Sequence, residues 1–465
     1  MPRAEQILTA AQMRSAEQAL IDAGTSVDEL MQTAGRGAAE WVWRLSGGRS
    51  VTVLAGPGNN GGDGYIIAEA IRQRGGAARV IAAAAPQTAA ARTARALFRG
   101  EVLGSDAPVS GEVLVDCLFG TGLTRALAAD HAALLNRLAA SHHRRIAIDL
   151  PSGIDSDLGL ALSRDLPDYH LTVALGAWKH AHFLMPAAAA MGALRLVPIG
   201  VAPVEGAASL VAQPRLAPPA AHAHKYTRGL LGVIGGAMPG AALLAARAAQ
   251  GAGAGYVKLL AAPGVQAPAD LVREDAPLAE ALGDTRFAAL LAGPGLGRDA
   301  AARERLAMVL AEAVPVVLDA DALVLLAPRL LAQGGAPLIA TPHEGELLAL
   351  ERAFACEGTG SKADRARALA LASGMIVVAK GADTVVAAPD GRLALAARAS
   401  SWLSTAGTGD VLAGTIASRL ASGADPFEAA CQGVWLHGEA ARLCPPAFTA
   451  LQLAKAIPGA LQSCL

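Results

Sequence analysis

Short, uninterrupted apolar runs alternate with helical periodicity along most of the chain, and that alternation most constrains the fold. VTVLA (51–55), RVIAAAA (79–85), EVLVDCLFG (112–120) and RIAIDL (145–150) read as strands, separated by helical stretches from Tyr65, around 88–99 and near 130–140. Strands this apolar on both faces belong inside a parallel sheet, because each βαβ crossover lays a helix on it. An earlier helix is marked by the capping box Ser26-Val27-Asp28-Glu29, followed at helical spacing by Leu30, Met31, Ala34, Ala38, Trp41 and Val42. A stretch rich in Pro, Ala and His lies between Val201 and His224. The rhythm then resumes with LLGVI (230–234), a helix from about Ala241, YVKLLA, FAALLAGPG, PVVLDADAL, PLIATP, MIVVAKG and a final helical region from Asp410. Two different α/β domains are expected, over 1–205 and 221–465 with a linker at 206–220.

Composition supports this. Trp 5, Tyr 4 and Phe 7 leave the cores to Leu, Val, Ile and Ala, which disfavours an aromatic-rich sandwich. Balanced charge, 39 basic against 40 acidic residues, gives no field to draw in nucleic acid or an anionic membrane. The five cysteines are scattered and form no C-x-x-C, so they read as buried small hydrophobes in a reducing compartment. The N-terminal stretch carries charges and no apolar h-region, so a cytoplasmic location is expected. Residues 229–246 carry no charge over 18 positions, but five glycines and Pro239 divide them into a strand, a turn and a helix start rather than a membrane span.

Chemistry is expected where strands end. Gly56-Pro57-Gly58-Asn59-Asn60-Gly61-Gly62-Asp63-Gly64 follows VTVLA and opens a helix, an arrangement suited to anions. It fits a dinucleotide fingerprint, yet the second strand ends Ala82-Ala83-Ala84-Ala85-Pro86 without the carboxylate that grips a ribose, which argues against an ordinary dehydrogenase. Asp116 and Asp149 each end a strand and should point into the same crevice. Lys179 and His180, after TVALGAW, are candidates to add to it.

GPGNNGGDG, DCLFGTGLTR, DLPSGID and GAWKHAHFLMP resemble the epimerase domain of the NAD(P)H-hydrate repair enzymes, over roughly 1–205. The resemblance implies a Rossmann-like three-layer parallel sheet that interconverts the R and S hydrates. It further implies that Asn59, Asn60, Gly61, Gly62 and Asp63, with Gly120, Thr121, Gly122, Leu123, Thr124, Arg125 and Ala126, bind the damaged cofactor. Asp149 would contact it as acid/base or electrostatic stabiliser, and Asn60, Asp116 and Ser152 would hold K+.

In the second half Ser404 to Gly414, STAGTGDVLAG, is a glycine turn opening a helix, with Asp410 placed to take a proton from a hydroxyl and backbone N–H groups placed to hold a phosphoryl group. HKYTRG, GGAMPGAALLAARAA, GPGLG, PHEGE, KGADT and AGTGDVLAG resemble the ADP-dependent NAD(P)H-hydrate dehydratase domain, over roughly 220–465, and imply a ribokinase-like α/β fold. By that resemblance Lys380, Gly381, Ala382, Asp383, Thr384 and Gly409 contact the nucleotide. Ala241, Gly295, Gly297, His343 and Asp410 contact the hydrate, and Mg2+ accompanies ADP. Glu344 replaces the proline expected there, at a position read as exposed. The expected partners are therefore NADHX, NADPHX and ADP, in a homo-oligomer. The competing reading is a small-molecule kinase with a regulatory N-terminal domain, since GTGD serves phosphotransfer generally.

Overall fold

The computed structural model describes residues 5–261, 265–331, 335–356 and 358–465; the first four residues of the stretch read as leaderless lie outside these. The described chain separates into two compact units, one through Ala208 and one from Ser209.

The first unit is built on seven strands in the spatial order Glu101–Gly104, Ala78–Ala82, Val51–Ala55, Gly111–Cys117, His142–Ile148, Leu171–Leu175 and Ala193–Val197. All adjacent pairs are parallel. Alternate side chains serve opposite layers. Val51, Val53 and Ala55 enter a core with helices Val27–Ser46, Asn59–Gln73 and Ala89–Leu97. Leu54, Ile81 and Leu114 pack with Leu134, Leu135 and Leu138 of helix Ala129–Ala140. Helix Val27–Ser46 has the expected box, with Ser26 Oγ accepting from Glu29 N at 3.2 Å and Glu29 accepting from Ser26 N at 2.8 Å.

One boundary differs. The helix read as starting at Tyr65 starts at Asn59, so the glycine-rich run forms its first turns. Helix propensity argues against glycine there, but packing wins. A Cβ on Gly61 would lie 1.9 Å from the Gly56 carbonyl oxygen, and one on Gly64 would lie 2.9 Å from Cys117 Cβ. Glycine lets this helix end sit directly on the strand ends.

In the second unit the strands run Val272–Glu274, Tyr256–Leu260, Leu230–Ile234, Phe287–Ala292, Val316–Leu318, Leu338–Ala340, Ile376–Ala379, Val385–Ala387 and Leu393–Leu395. They are parallel as far as Ile376–Ala379, and the last three are antiparallel. The KGADT run is thus a reversal between antiparallel strands, which the expected βα rhythm did not include. The uncharged stretch 229–246 divides into strand Leu230–Ile234 and helix Pro239–Gly251, with Pro239 in its first turn where a missing N–H costs nothing. Among the described residues no helix is long and apolar enough to cross a membrane.

Helix Thr408–Ala421 is buried through Leu412, Ala413, Ile416 and Ala417. It packs so closely on helix Pro239–Gly251 that a Cβ on Gly414 would lie 2.1 Å from the Ala245 carbonyl oxygen. Gly414→Ala is therefore expected to destabilise the second unit by about 1–3 kcal/mol despite alanine's better helix propensity. A lowered midpoint in denaturant would show it; an unchanged or raised midpoint would contradict the packing argument.

Candidate functional site

In the first unit the strands ending at Ala55, Cys117 and Ile148 are neighbours, so the loops that follow them meet at one edge. Asp116 is wholly buried there. Its Oδ1 accepts from Leu118 N (3.0 Å) and Ser152 Oγ (2.7 Å), and its Oδ2 from Ser152 N (3.0 Å) and Tyr169 OH (2.5 Å). Burial pushes its carboxyl up, against the pull of these four donors. Asn60 donates to the Ile148 carbonyl at 3.3 Å, while its own buried Oδ1 has no hydrogen-bond partner. Asn59 accepts from the Thr88 hydroxyl at 2.6 Å.

Asp149 leaves its strand at φ +66°, a conformation that costs a non-glycine residue about 1–3 kcal/mol. The bend turns its carboxylate into a dense set of donors. Thr121 gives Oδ2 both its N–H (2.8 Å) and its hydroxyl (2.6 Å), and the ammonium of Lys179 reaches Oδ1 at 2.5 Å. Lys179 is 1% exposed and also donates to the Leu175 carbonyl at 2.7 Å. Burial alone would raise the Asp149 pKa, but the Lys179 charge and the hydrogen bonds outweigh it and hold the carboxyl at about 2. Asp63 is also buried; burial, then the charges of Asp149 and Glu17, push its carboxyl well above the usual range.

The remaining predicted residues differ in their placement. Gly120 faces this group, since a Cβ there would lie 2.9 Å from Asp149 Oδ2 and 3.3 Å from Asn60 Cγ. Gly61 and Gly62 pack against neighbouring protein atoms, whereas Gly122, Thr124, Arg125 and Ala126 form an exposed loop around half-buried Leu123. His180 is buried in the short helix His180–His182, and it is His182 that touches Asp149, at 2.9 Å from its backbone carbonyl. Burial lowers the His182 pKa to about 4, so the ring is neutral. Glu17 and Tyr169 carry no motif signal, whereas His182 lies within GAWKHAHFLMP two residues beyond His180; Tyr169 precedes strand Leu171–Leu175 and reaches Asp116 across the sheet.

In the second unit the loops converge in the same way. Asp410 lies in the first turn of helix Thr408–Ala421, after Gly407 at φ +91°. Burial, then the charge of Asp319, push its carboxyl up to about 7 against the pull of Lys380. Lys380 pairs with Asp319 at 2.6 Å, and a Cβ on Gly409 would lie 3.4 Å from the lysine nitrogen. In the Lys380–Thr384 turn the Thr384 hydroxyl donates to the Gly381 carbonyl (2.9 Å), Asp383 pairs with Lys362, and Ala382 is exposed. His437, absent from any motif, is buried against the Thr408 carbonyl at 2.9 Å and fixes the start of the helix.

The loops expected to meet the hydrate are tied together by hydrogen bonds. Met238 N donates to the Gly295 carbonyl at 2.9 Å just before half-buried Ala241, and Gly297 N donates to Asp321 at 3.0 Å. His343 caps helix Glu344–Ala353, accepting from Glu346 N at 3.2 Å, and keeps 62% of its side chain exposed. Glu344, 51% exposed, pairs with Arg365 at 2.6 Å. Asp319 and Asp321 follow the strand run VVL as Asp116 and Asp149 close theirs, but lie outside the glycine-rich motifs.

The Asp149–Lys179 pair yields a stability prediction. Lys179→Met leaves a buried carboxylate without its counter-charge and should cost the first unit about 3–5 kcal/mol, with Asp149→Asn in the same chain restoring part of it. Because the folded pKa is depressed, the carboxylate's contribution is complete above about pH 4 and is lost as pH falls toward about 2. Acid unfolding of Asp149→Asn should lack that segment; an unaltered profile would refute the pairing.

The family described as NAD(P)H-hydrate dehydratase matches residues 231–462, and that described as YjeF-related protein N-terminus matches residues 27–181. A protein of Mycobacterium leprae named bifunctional NAD(P)H-hydrate repair enzyme Nnr is 34% identical, covering 93% of both chains. A protein of Gloeobacter violaceus with the same name is 34% identical over 93% of this chain and 92% of its own. The solved ADP/ATP-dependent NAD(P)H-hydrate dehydratase from Bacillus subtilis, co-crystallized with ATP/Mg2+, is 28% identical over 54% of this chain and 95% of its own, with a TM-score of 0.47. Relatives that span both units and carry one shared name leave no place for a kinase with a regulatory module: the chain belongs to the family of bifunctional NAD(P)H-hydrate repair enzymes.

Proposed function

We propose that the chain restores NADH and NADPH from their hydrates, the first unit interconverting the R and S epimers and the second dehydrating the S hydrate at the expense of ADP. The observation that carries the second step is Asp410, a carboxyl with a pKa of about 7 at the start of a buried helix. A base poised near the working pH is what removal of a hydroxyl proton needs. Asp410 takes the proton of the C6 hydroxyl, and the oxygen attacks the terminal phosphorus of ADP, breaking its bond to the bridging oxygen and releasing AMP. The C6–O bond then breaks with phosphate as leaving group, C5 gives up a proton, and the ring double bond returns. Water leaves poorly and phosphate well, which gives the nucleotide its purpose. Lys380 and the N–H groups around Gly409 stabilise the phosphoryl group in transfer. Mg2+ would be carried on the nucleotide's own phosphates and would neutralise their charge.

In the first unit we assign K+ to Asn60, Asp116 and Ser152. The fit is chemical: all three offer oxygen, the Asn60 Oδ1 is buried without a partner, and the Asp116 carboxyl is buried among neutral donors. The ion would supply fixed positive charge. Asp149, held ionised and saturated by Thr121 and Lys179, serves as an electrostatic partner for a ring that becomes cationic, rather than as the group that carries the proton. Five free thiols support the reading of a reducing, cytoplasmic location.

Purified protein given both hydrate epimers and ADP should regenerate NAD(P)H completely. Stalling at half would remove the epimerase; no recovery, with a stable phosphorylated product, would remove the dehydratase. Asp410→Asn should lower dehydration by at least about 100-fold while leaving epimerisation intact, and the wild-type rate should rise with pH about a midpoint near 7. Epimerisation should depend on KCl concentration, and Ser152→Ala should shift that dependence to higher KCl; equal rates in K+ and tetramethylammonium buffers would sink the ion assignment.

A further inference from the structure

More of the second centre converges on Asp319 than on any motif residue. Strand Val316–Leu318 ends at this carboxylate, whose side chain is 2% exposed. Its Oδ1 takes both the Lys380 ammonium (2.6 Å) and the Thr341 hydroxyl (2.7 Å). Thr341 and Lys380 follow the next two strands of the sheet, Leu338–Ala340 and Ile376–Ala379, so one oxygen ties three consecutive strand ends together. A Cβ built on Gly409 would lie 3.4 Å from Lys380 Nζ and 3.9 Å from Asp319 Oδ2, so the pair lies against the turn that carries Asp410. Asp319 is itself pinned by its N–H to the Ala292 carbonyl at 3.1 Å, and the chain bends beyond it through Ala320 at φ +47°.

We propose that Asp319 is a positioning residue for the dehydration, tethering the Lys380 ammonium against the Gly407–Asp410 turn and placing a second buried negative charge opposite the base. The groups facing Asp410 are Asp319, Lys380 and Asp321. Asp321 is engaged by Gly297 N and Arg298, and Lys380 also faces Glu346 and His437. Of the charges on Asp410, Asp319 stands first after burial and opposes Lys380. Without Asp319 the base would lose a repelling charge and keep an attracting one, becoming a weaker base, while the lysine would lose the anchor that aims it at phosphate.

The kinetic part of this inference rests on the dehydratase reading; the protonation part does not. Carboxyl carbon NMR of the full-length protein, with the Asp410 signal assigned by Asp410→Asn, measures the midpoint without any turnover. Asp319→Asn should lower that midpoint by about one pH unit or more, Lys380→Gln should raise it, and Thr341→Val, which removes a hydrogen bond but no charge, should leave it in place. In hydrate assays Asp319→Asn should move the acid limb of kcat to lower pH and raise KM for ADP about tenfold. An Asp410 midpoint unmoved in Asp319→Asn overturns the proposal whether or not the wild type dehydrates the hydrate. Should that variant not fold, a midpoint that fails to rise in Lys380→Gln overturns it equally. Absence of dehydration by the wild type would instead count against the function.

Discussion

A carboxylate taken out of water at the end of a parallel strand must be matched by positive charge and by donors, and both units are arranged around that requirement. Desolvation costs several kcal/mol per ion, recovered only when geometry fills the lone pairs. In the first unit Asp149 meets Lys179 and Thr121; in the second Asp319 meets Lys380 and Thr341. In each case the lysine follows another strand of the same sheet, so the sheet's register sets the charge pairing. Positive φ recurs at the bend, at Asp149 itself and at Ala320 beside Asp319. The strain turns the chain abruptly enough to keep the carboxylate at the edge instead of carrying it into the next helix.

The glycines serve this edge in a second way. Gly56 and Gly293 lie where a Cβ would come within 1.8 Å of the Leu118 carbonyl and 1.7 Å of the Asp319 carbonyl. Those approaches are between protein segments, not between protein and ligand. Loops after different strands can therefore touch one another, and the polar groups they carry fall within hydrogen-bond reach. Gly58, by contrast, has open space around it, at the start of helix Asn59–Gln73.

This division explains what the sequence discloses. Apolar runs disclose the strands, and a polar residue closing such a run discloses Asp116 and Asp149, because burial on both faces and a sheet-end position leave their mark in one dimension. Lys179 is a candidate from its own motif, but its pairing with Asp149 spans 30 residues, and that of Tyr169 with Asp116 spans 53. Such pairings depend on strand order and register, which periodicity does not encode. Asp319 has the same strand-end signature, but its partners Thr341 and Lys380 follow other strands, so its role is not written in its own segment. The helix start at Asn59 misled for the opposite reason: local propensity counts the cost of glycine and not the contact that glycine permits.

The two strand-end centres end in opposite protonation behaviour, and the difference lies in where the cation sits. At Asp149 the ammonium and hydroxyl bond the carboxylate itself, so its charge is fixed down to about pH 2. At Asp410 the nearby ammonium bonds a different carboxylate, Asp319, and Asp410 feels burial and repulsion before it feels Lys380. A raised pKa has a stability cost of fixed sign. The folded state holds the proton more tightly than the unfolded chain, so this group makes the second unit less stable as pH rises from about 4 to about 7, and adds nothing beyond. Over that same interval the Asp149 contribution is already complete. One unit therefore keeps its charge as a permanent electrostatic feature, while the other gives up some stability at neutral pH to keep a carboxylate that can still take a proton.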